Sequence, residues 1–333
     1  MPAPAPRAMI LAAGFGSRLG PLADERPKPL LPVCGATLIE WTVRWLAHSG
    51  IRQIVVNLHH KGELIEGELG DGSRFGVQVR YSREPTILGT GGGLRQARPL
   101  LEDGSGAPIV VVNGKLLFEL DLPEVLRLHH EREAEATLVL RRDEERIWGA
   151  GFRLDAGGRV TQFLGHAPVA TAEASDDLMF TGVHVLSPRF LDRIPAEGAP
   201  CIIRTAYRDL FDARGRLYGF RQRGYWWEHS TADRYLTGVA NVLDERLQFP
   251  FATHSLRGVD PTAVIHPSAQ IDPSTWIGPG VRVDAEANVG RHVQIGEGAH
   301  VTAAATLQRC VVWPGTTVVG MHRDTVLTPR APA

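Results

Sequence analysis

The apolar positions in the first 141 residues come in short runs, separated by amphipathic stretches with helical spacing. Short apolar runs that stop at glycine or asparagine predict buried strands, and the amphipathic stretches predict helices. The predicted strands are 9–13, 51–58, 77–82, 108–112 and 136–141, and the predicted helices are 37–48, 122–132 and one beginning near residue 91. Strands that alternate with helices predict an α/β fold whose mostly parallel sheet is covered on both faces.

A second pattern begins near residue 259. An aliphatic residue recurs every six positions at Val259, Ile265, Ile271, Ile277, Val283, Val289, Ile295, Val301 and Leu307, and Trp313 and Val319 keep this register. A small or β-branched residue follows each of the nine aliphatic positions by four residues, from Ala263 to Val311. Such a hexapeptide repeat predicts a three-sided β-helix of roughly three coils, with the aliphatic side chains on its axis. Repeats of this type stack on neighbouring units, which favours a homo-oligomer formed through the β-helix.

The two patterns predict an α/β domain at residues 1–245, a linker at 246–262 and the β-helix at 263–333. In parallel α/β sheets ligands bind at the carboxyl ends of the strands. The relevant ends here are Ala13-Gly14 and Val112-Asn113-Gly114.

The composition excludes several classes of protein. With 43% hydrophobic and 22% charged residues the chain is typical of a globular protein, and its net charge of −1 predicts no general attraction to nucleic acid or membrane. No apolar run approaches the length of about 18 residues that a spanning helix needs. The N-terminus lacks the basic-then-apolar order of a signal peptide. Cys34, Cys201 and Cys310 have neither disulfide nor metal spacing, so we expect a reducing cytoplasm.

The turn after the first predicted strand has the residues of a phosphate-binding loop. Gly14 and Gly16 allow close backbone approach and positive φ, and Ser17 can donate a hydroxyl hydrogen bond. Arg18 offers a planar fork to two phosphate oxygens, and Lys28 adds a mobile point charge. Backbone N–H groups and a few cations are what a triphosphate needs, so the segment predicts nucleotide binding. Gly14 and Gly16 alone would fit an ordinary tight turn equally well.

In full, this segment reads Leu-Ala-Ala-Gly-Phe-Gly-Ser-Arg-Leu-Gly-Pro-Leu from residue 11 and Pro-Lys-Pro-Leu from residue 27. It resembles the signature of the sugar-1-phosphate nucleotidylyltransferases and is neither a dinucleotide fingerprint nor a Walker loop. The resemblance continues in Glu-Pro at 84–85 with Leu-Gly-Thr-Gly-Gly-Gly at 88–93, and in Asn-Gly at 113–114. It also includes Phe-Thr-Gly-Val-His-Val-Leu at 180–186 and Gly-Tyr-Trp-Trp-Glu-His-Ser-Thr-Ala-Asp-Arg-Tyr-Leu at 224–236. It is nearest to GDP-mannose pyrophosphorylase-like members.

The resemblance implies a Rossmann-like nucleotide-diphospho-sugar transferase domain, followed by a short left-handed parallel β-helix. It also implies a nucleoside triphosphate and a sugar 1-phosphate as substrates, and Mg²⁺ as cofactor. By resemblance Arg18 and Lys28 are catalytic, holding the β- and γ-phosphates. The implied nucleotide-binding residues are Ala12, Gly14, Phe15, Gly16, Ser17, Thr90, Gly91 and Asn113, and the implied sugar-binding residues are Gly114, Gly149 and Thr181.

The sequence departs from the family at both aspartates that would bind magnesium. Lys115 stands at the first position and Glu228 at the second. Magnesium prefers hard, usually carboxylate, oxygens, so Glu228 could serve as a ligand and Lys115 cannot. Three interpretations stay open: an ion pair between Lys115 and Glu228, a metal-free catalytic role for Lys115, and a displaced metal site that uses Glu228, Glu119 or Asp121.

Two functions therefore remain. The first is an active nucleotidylyltransferase, with a mannose-1-phosphate guanylyltransferase-like activity favoured, because the residues of the phosphate loop are complete. The second is a catalytically impaired, nucleotide-sugar-binding regulatory homologue, because both metal aspartates are replaced. The sequence leaves the nucleobase and the sugar open.

Overall fold

The structure is a computed structural model of the 333-residue chain, and it describes residues 4–144, 146–166 and 177–330. The chain divides into two compact units. The first unit comprises Met1–Phe15, Trp45–Gly114 and Leu120–Gly224, and the second comprises Gly16–Arg44, Lys115–Glu119 and Tyr225–Ala333.

The helices are α1 (Leu22–Glu25), α2 (Leu38–His48), α3 (Gly62–Leu69), α4 (Gly89–Leu101), α5 (Leu122–Glu131), α6 (Arg208–Asp212) and α7 (Ala232–Leu243). Strands β1 to β13 are Arg7–Leu11, Pro32–Val33, Ala36–Thr37, Gln53–Leu58, Gln78–Arg83, Ile109–Asn113, Leu116–Phe118, Ala136–Arg142, Arg153–Leu154, Val160–Gln162, Leu178–Leu186, Leu217–Arg221 and Trp226–Glu228. Strands β14 to β24 are Gly258–Val259, Val264–Ile265, Gln270–Ile271, Thr275–Ile277, Arg282–Val283, Asn288–Val289, Val293–Ile295, His300–Val301, Thr306–Val312, Thr317–Val318 and Met321–Leu327.

The first unit is built on a seven-stranded sheet in the order β12-β8-β11-β6-β1-β4-β5. Strand β11 is antiparallel to both of its neighbours and the other pairings are parallel, as the alternation of strands and helices predicts. The central strands are buried on both faces, which explains their continuous apolar runs. The predicted mixed α/β fold with a mostly parallel sheet is confirmed.

The C-terminal half of the second unit consists of short parallel strands that stack at a constant spacing. Ile277 pairs with Ile295, Val283 with Val301, and Val289 with Leu307, so each aliphatic residue lies above the one three hexads earlier. Their side chains form a closed apolar core that is shared with the small residues Ala287, Ala299 and Ala305. The predicted six-residue repeat therefore matches the burial of the individual side chains in these coils.

The register changes in the last coil, which corrects the prediction for Trp313 and Val319. Ile295 pairs with Val312, and Val301 pairs with Val318, so this coil is one residue shorter. The shortening falls in β22, where Arg309 takes a φ of 48°. Val318 is buried as a result, whereas Val319 is 52% exposed.

Trp313 instead joins a second core of the same unit. This core combines coil residues with residues from α2 and α7, among them Trp41, Tyr235 and Val311. Helix α2 begins with a reciprocal cap, in which Thr37 N donates to Glu40 Oε2 at 3.0 Å and Glu40 N donates to Thr37 Oγ1 at 3.4 Å. Residues on both sides of the predicted linker at 246–262 thus share one core, and the compact units do not follow the predicted boundaries.

The length and apolar character of the helices also bear on membrane insertion. Within the described ranges, no helix combines the length and the apolar character that crossing a bilayer requires.

Candidate functional site

In the first unit, three carboxyl strand ends lie side by side. Leu11 of β1 is the register partner of Asn57 in β4 and of Asn113 in β6. Gly114 N donates to Leu11 O at 3.0 Å, and Ala12 N donates to the Asn57 Oδ1 atom at 2.8 Å. The predicted nucleotide-binding residues Ala12 and Asn113 and the predicted sugar-binding residue Gly114 are therefore neighbours at one sheet edge.

A buried hydrogen-bond network holds this edge in place. Asn57 Nδ2 donates to Glu84 Oε1 at 2.7 Å, and the backbone N–H of Leu88, just before α4, donates to Glu84 Oε2 at 2.9 Å. The sequence analysis missed Asn57, because a single amide at the end of a strand has no spacing that links it to a carboxyl group 27 residues away.

The turn after β1 differs from the prediction at one glycine. Gly14 does not take the left-handed conformation, whereas Gly16 does, with a φ of 75°. A Cβ added at Gly14 would meet no atom within 4 Å, so the space around it is open. Phe15 is half exposed, and its ring packs edge-on against His59 with the centroids 5.3 Å apart.

Thr90 and Gly91, the predicted base-reading residues, contact the segment 200–202 of their own unit. Thr90 Oγ1 accepts a hydrogen bond from Ile202 N at 2.9 Å, and Gly91 N donates to Pro200 O at 2.9 Å. A Cβ at Gly91 would lie 3.0 Å from the same Pro200 oxygen. The glycine run thus has a packing role in the start of α4, and its contact with a base stays a prediction.

The remaining predicted sugar-binding residues lie in different surroundings. Thr181 is buried, and its hydroxyl donates to Val139 O at 2.8 Å. Gly149 is exposed, has a φ of 84°, and donates its N–H to Asp143 Oδ2 at 2.8 Å. Their role towards a sugar stays a prediction.

In the second unit, the glycine turn leads directly to two cationic residues. Gly16 precedes a single 3-10 turn, Ser17–Leu19, that is anchored by the buried Leu19. Ser17 is exposed, and the Arg18 side chain is 61% exposed. The stem of Lys28 lies against Gly16, since a Cβ there would be 3.6 Å from Lys28 Cγ. Apolar contact along the stem leaves the residue only 9% exposed.

Lys115 and Glu228 meet because β7 and β13 pair antiparallel. Glu228 is the register partner of Leu116, and His229 N donates to Lys115 O at 3.1 Å, so the Lys115 backbone is fixed. Lys115 Nζ lies 2.9 Å from Glu228 Oε2. The ion pair that the sequence analysis considered is confirmed.

Two further cations face the same carboxylate. Arg18 Nη2 and Arg234 Nη1 each lie 3.9 Å from Glu228 Oε1, and Arg234 also bonds to Ser230 Oγ at 3.1 Å. We call Arg18, Lys28, Lys115, Arg234 and Glu228 the Glu228 cluster. Arg18, Lys115 and Arg234 lie within 4 Å of the Glu228 carboxylate, and Lys28 is attracted to it, so the basic members of the cluster outnumber its one acidic member. Arg234 lies on α7, inside the motif at 224–236, but no role was assigned to its side chain from the sequence.

The cluster perturbs the pKa values of its own members. Burial, followed by repulsion from Lys115 and Arg18, lowers the pKa of Lys28 to about 8, and attraction to Glu228 offsets part of this. Burial would raise the pKa of Glu228, but the charge and hydrogen bond of Lys115, with help from Ser230 and Arg18, hold that pKa below its ordinary value. A group of cations that repel one another in a partly buried place favours the binding of an anion.

The residues present do not fit a magnesium ion. Magnesium needs several oxygen ligands in near-octahedral array, and here one carboxylate is already paired with an ammonium group. Among the residues that the structure describes, no group of three or more His, Cys, Asp and Glu side chains could hold a metal. The alternative ligands have other partners: Glu119 accepts from Tyr225 N and Gln248 N, and Asp121 caps α5.

Comparisons with known proteins agree with the fold and the motifs. A family model described as "Nucleotidyl transferase" matches residues 7–245. A mannose-1-phosphate guanylyltransferase catalytic subunit beta from Danio rerio is 32% identical over 333 aligned residues, covering 96% of this chain and 90% of that protein. A mannose-1-phosphate guanylyltransferase from Mycobacterium tuberculosis is 30% identical, covering 79% of this chain and 70% of its own length.

Solved structures show the same fold. A candidate glucose-1-phosphate thymidylyltransferase from Bacillus anthracis, solved in complex with a sucrose, superposes with a TM-score of 0.60 at 22% identity, covering 74% of this chain and 97% of that one. Because the family model covers most of the chain and the alignment with the Danio rerio relative spans nearly its full length, the chain belongs to the nucleotidyl transferase family.

Proposed function

We propose that the chain transfers a guanylyl group from GTP to mannose 1-phosphate, giving GDP-mannose and pyrophosphate. The observation that carries the proposal is the 32% identity to the Danio rerio catalytic subunit across 96% of this chain. That relative is named for the same substrate pair, and its similarity extends beyond the shared motifs to both compact units.

The chemistry is an in-line displacement at phosphorus. An oxygen of the sugar phosphate forms a bond to the α-phosphorus, the bond from that phosphorus to the bridging oxygen breaks, and its electron pair leaves with pyrophosphate. Positioning and charge neutralisation carry most of such a reaction. In this proposal Arg18 and Lys28 neutralise the leaving pyrophosphate, and Ser17 and the Gly16 turn offer hydrogen-bond donors to the same phosphates.

The other predicted nucleotide- and sugar-binding residues lie in the first unit, which is proposed by itself as a region that recognises substrate. Its network through Asn57 and Glu84 supports this, because it fixes the backbone of Ala12 and the residue before α4. Fixed backbone donors lose little freedom when a ligand binds, which favours precise recognition. The assignment of Gly14, Phe15, Thr90, Gly91 and Asn113 to the nucleotide is part of the same proposal, as is that of Gly114, Gly149 and Thr181 to the sugar.

The test is product formation from a panel of substrates. The purified chain is incubated with each pair drawn from the four nucleotides GTP, UTP, dTTP and CTP and the sugars mannose 1-phosphate and glucose 1-phosphate, with and without magnesium. We expect GDP-mannose to form at least about tenfold faster than any other product, since a site built for one set of polar contacts strongly rejects another. No product from any pair would overturn the proposal and favour the regulatory alternative.

Two variants make this assay specific to the chain. Arg18→Ala with Lys28→Ala should abolish most of the activity, because both phosphate-binding charges are lost. Arg323→Ala removes a charge from a 69% exposed side chain on β24 and should leave the rate unchanged. Equal activity in both variants would point to a contaminating enzyme.

Three further points belong to this proposal. We assign the coils of β15 to β24 to a left-handed β-helix domain at 263–333, following the linker at 246–262 and the catalytic domain at 1–245. Strongly exposed apolar side chains on the coils, Val264 and Met321, support a homo-oligomer formed through it. The unpaired cysteines Cys34, Cys201 and Cys310 support a cytoplasmic location.

A further inference from the structure

The Glu228 cluster carries a net positive charge without any metal, whereas a metal site that lacks its ion carries the negative charge of its carboxylates. A carboxylate together with a divalent ion contributes one net positive charge, and a lysine alone contributes the same. Lys115 thus places about the charge of a metal-loaded aspartate next to Glu228, with its Nζ atom 2.9 Å from Oε2. The other cations add to this charge, because Arg18 and Arg234 each reach within 3.9 Å of the remaining carboxylate oxygen.

The geometry of Lys115 suits a counter-ion that can change partners. Its backbone is held by His229, whose N–H donates to Lys115 O, while the ammonium sits at the end of a flexible four-carbon stem. The Lys115 side chain is 25% exposed, whereas that of Glu228 is 15% exposed. An anion that reaches the cluster can therefore take the Lys115 ammonium without any movement of the backbone.

We propose that the Glu228 cluster binds the polyphosphate of a nucleoside triphosphate, and the pyrophosphate product, without a divalent cation, and that the Lys115 ammonium shifts from Glu228 to a phosphate oxygen when they bind. The inference takes its ligand class from the proposed function and deepens it. Lys115 supplies the positive charge at the position where the family resemblance implies a metal-binding aspartate. Glu228 keeps the empty cluster stable by balancing part of its charge.

The test measures binding of inorganic pyrophosphate by calorimetry, once in EDTA and once in excess magnesium. For the unmodified chain we expect the two dissociation constants to agree within about threefold, because the cations are already part of the protein. Binding that disappears in EDTA and returns with magnesium would overturn the inference. An absence of heat in both buffers would overturn it as well.

A charge-reversal pair shows whether Lys115 is responsible. Lys115→Asp should weaken pyrophosphate binding in EDTA by at least about tenfold, since two like-charged carboxylates then face the ligand. Magnesium should restore most of the loss. Lys61→Asp makes the same charge change in the first unit, at a φ of 52° that aspartate tolerates, and should bind as the unmodified chain does. Equal weakening in both variants would contradict the role of Lys115.

The outcomes separate this inference from the proposed function. Pyrophosphate binding in EDTA without any turnover would sustain the inference and remove the proposed function. Turnover and binding that both require magnesium would do the reverse. Lys115→Met, which keeps the stem and removes the charge, provides a second variant if Lys115→Asp does not fold. It should weaken binding in EDTA, and magnesium should not restore the loss because methionine adds no oxygen ligand.

Discussion

The two compact units each hold a glutamate at the candidate site, one buried and one partly buried, and the two glutamates have opposite kinds of partner. Glu84 in the first unit is 4% exposed and accepts hydrogen bonds from an amide side chain and a backbone N–H. Glu228 in the second unit faces Lys115, Arg18 and Arg234. Neutral donors on fixed backbone define one geometry, whereas long cationic side chains can leave for another anion. The first glutamate therefore shapes the protein, and the second balances charges that a ligand can take over.

The largest expected effect is on the stability of the first unit. Glu84→Gln places an NH₂ group against a donor, because Asn57 cannot turn its amide while its Oδ1 atom accepts from Ala12 N. We expect the free energy of unfolding to fall by about 3 kcal/mol, the cost of leaving buried donors unpaired. Denaturant unfolding measures the change, and added pyrophosphate should not reduce the gap to the unmodified chain. A loss below about 0.5 kcal/mol would contradict this role.

The next effect concerns the space beside Glu84. A Cβ at Gly93 would lie 2.6 Å from Glu84 Oε1 and 2.9 Å from Asn57 Nδ2, so Gly93→Ala has to displace the network. We expect a loss of about 2 kcal/mol in unfolding free energy.

The matched control for Gly93→Ala is Gly67→Ala. Gly67 lies within α3 and has no atom within 4 Å of the added Cβ, so alanine should stabilise the helix by up to about 1 kcal/mol. Equal behaviour of the two alanine variants in the same unfolding experiment would rule out the packing argument.

The matching substitution in the second unit should act on binding. Glu228→Gln removes the negative charge that competes with phosphate, so we expect pyrophosphate to bind about tenfold more tightly, a gain of about 1.4 kcal/mol. Without ligand the variant should unfold more easily than the unmodified chain, because its cations repel one another. Pyrophosphate should restore its stability, as a ligand of the native state does. Weaker binding in this variant would contradict the account of Glu228.

The smallest effect is a pH dependence from Lys28. Its pKa of about 8 means that the ammonium is lost as the pH rises through 8, so pyrophosphate affinity relative to a Lys28→Arg variant should fall severalfold from pH 7 to 9. The variant provides the reference because arginine stays charged and both proteins meet the same ligand. A ratio of the two affinities that does not change with pH would show that the Lys28 ammonium does not bind the pyrophosphate.

The stability of the chain should show the same group with the opposite trend. The pKa of Lys28 is lowered in the folded state from its ordinary value of 10.5, so the unfolded chain binds more protons between about pH 8 and 10.5. The contribution of Lys28 to the free energy of unfolding therefore rises across this window, and the cost of its burial is fully present below pH 8. The Lys28→Arg variant should lack this rise in urea unfolding.

Patterns that repeat along the chain predicted the fold well. Burial on both faces makes β1, β4 and β6 continuous apolar runs, and the coil core takes one aliphatic residue in every six from Ile265 to Leu307. The prediction is wrong for Val259, which is 45% exposed. The change of register at Val312 could not be predicted from the sequence, because Trp313, which keeps the six-residue spacing, is also buried. The structure reveals the change, since Val312 pairs with Ile295 and Trp313 belongs to a different core.

The site was predictable where a motif carries the chemistry. The ion pair of Lys115 and Glu228 was one of the three interpretations left open, and it could be considered because each residue stands at a position that a motif marks. Asn57 was missed, since its partner Glu84 follows from the placement of strand ends and has no fixed spacing in sequence. Arg234 received no role, although it stands six residues after Glu228 in the same motif. The sequence could not distinguish Gly14 from Gly16, because both stand in the same turn and either could adopt a positive φ. In the structure only Gly16 does so.

The proposal for the Glu228 cluster is that the Lys115 ammonium supplies the positive charge that a metal ion would otherwise supply beside Glu228. The most direct measurement is a crystal structure of the chain grown with both pyrophosphate and magnesium. The account predicts Lys115 Nζ within hydrogen-bond distance of a phosphate oxygen, with no ion between that phosphate and Glu228. A magnesium ion that bridges Glu228 and the phosphate, with Lys115 turned away, would contradict it.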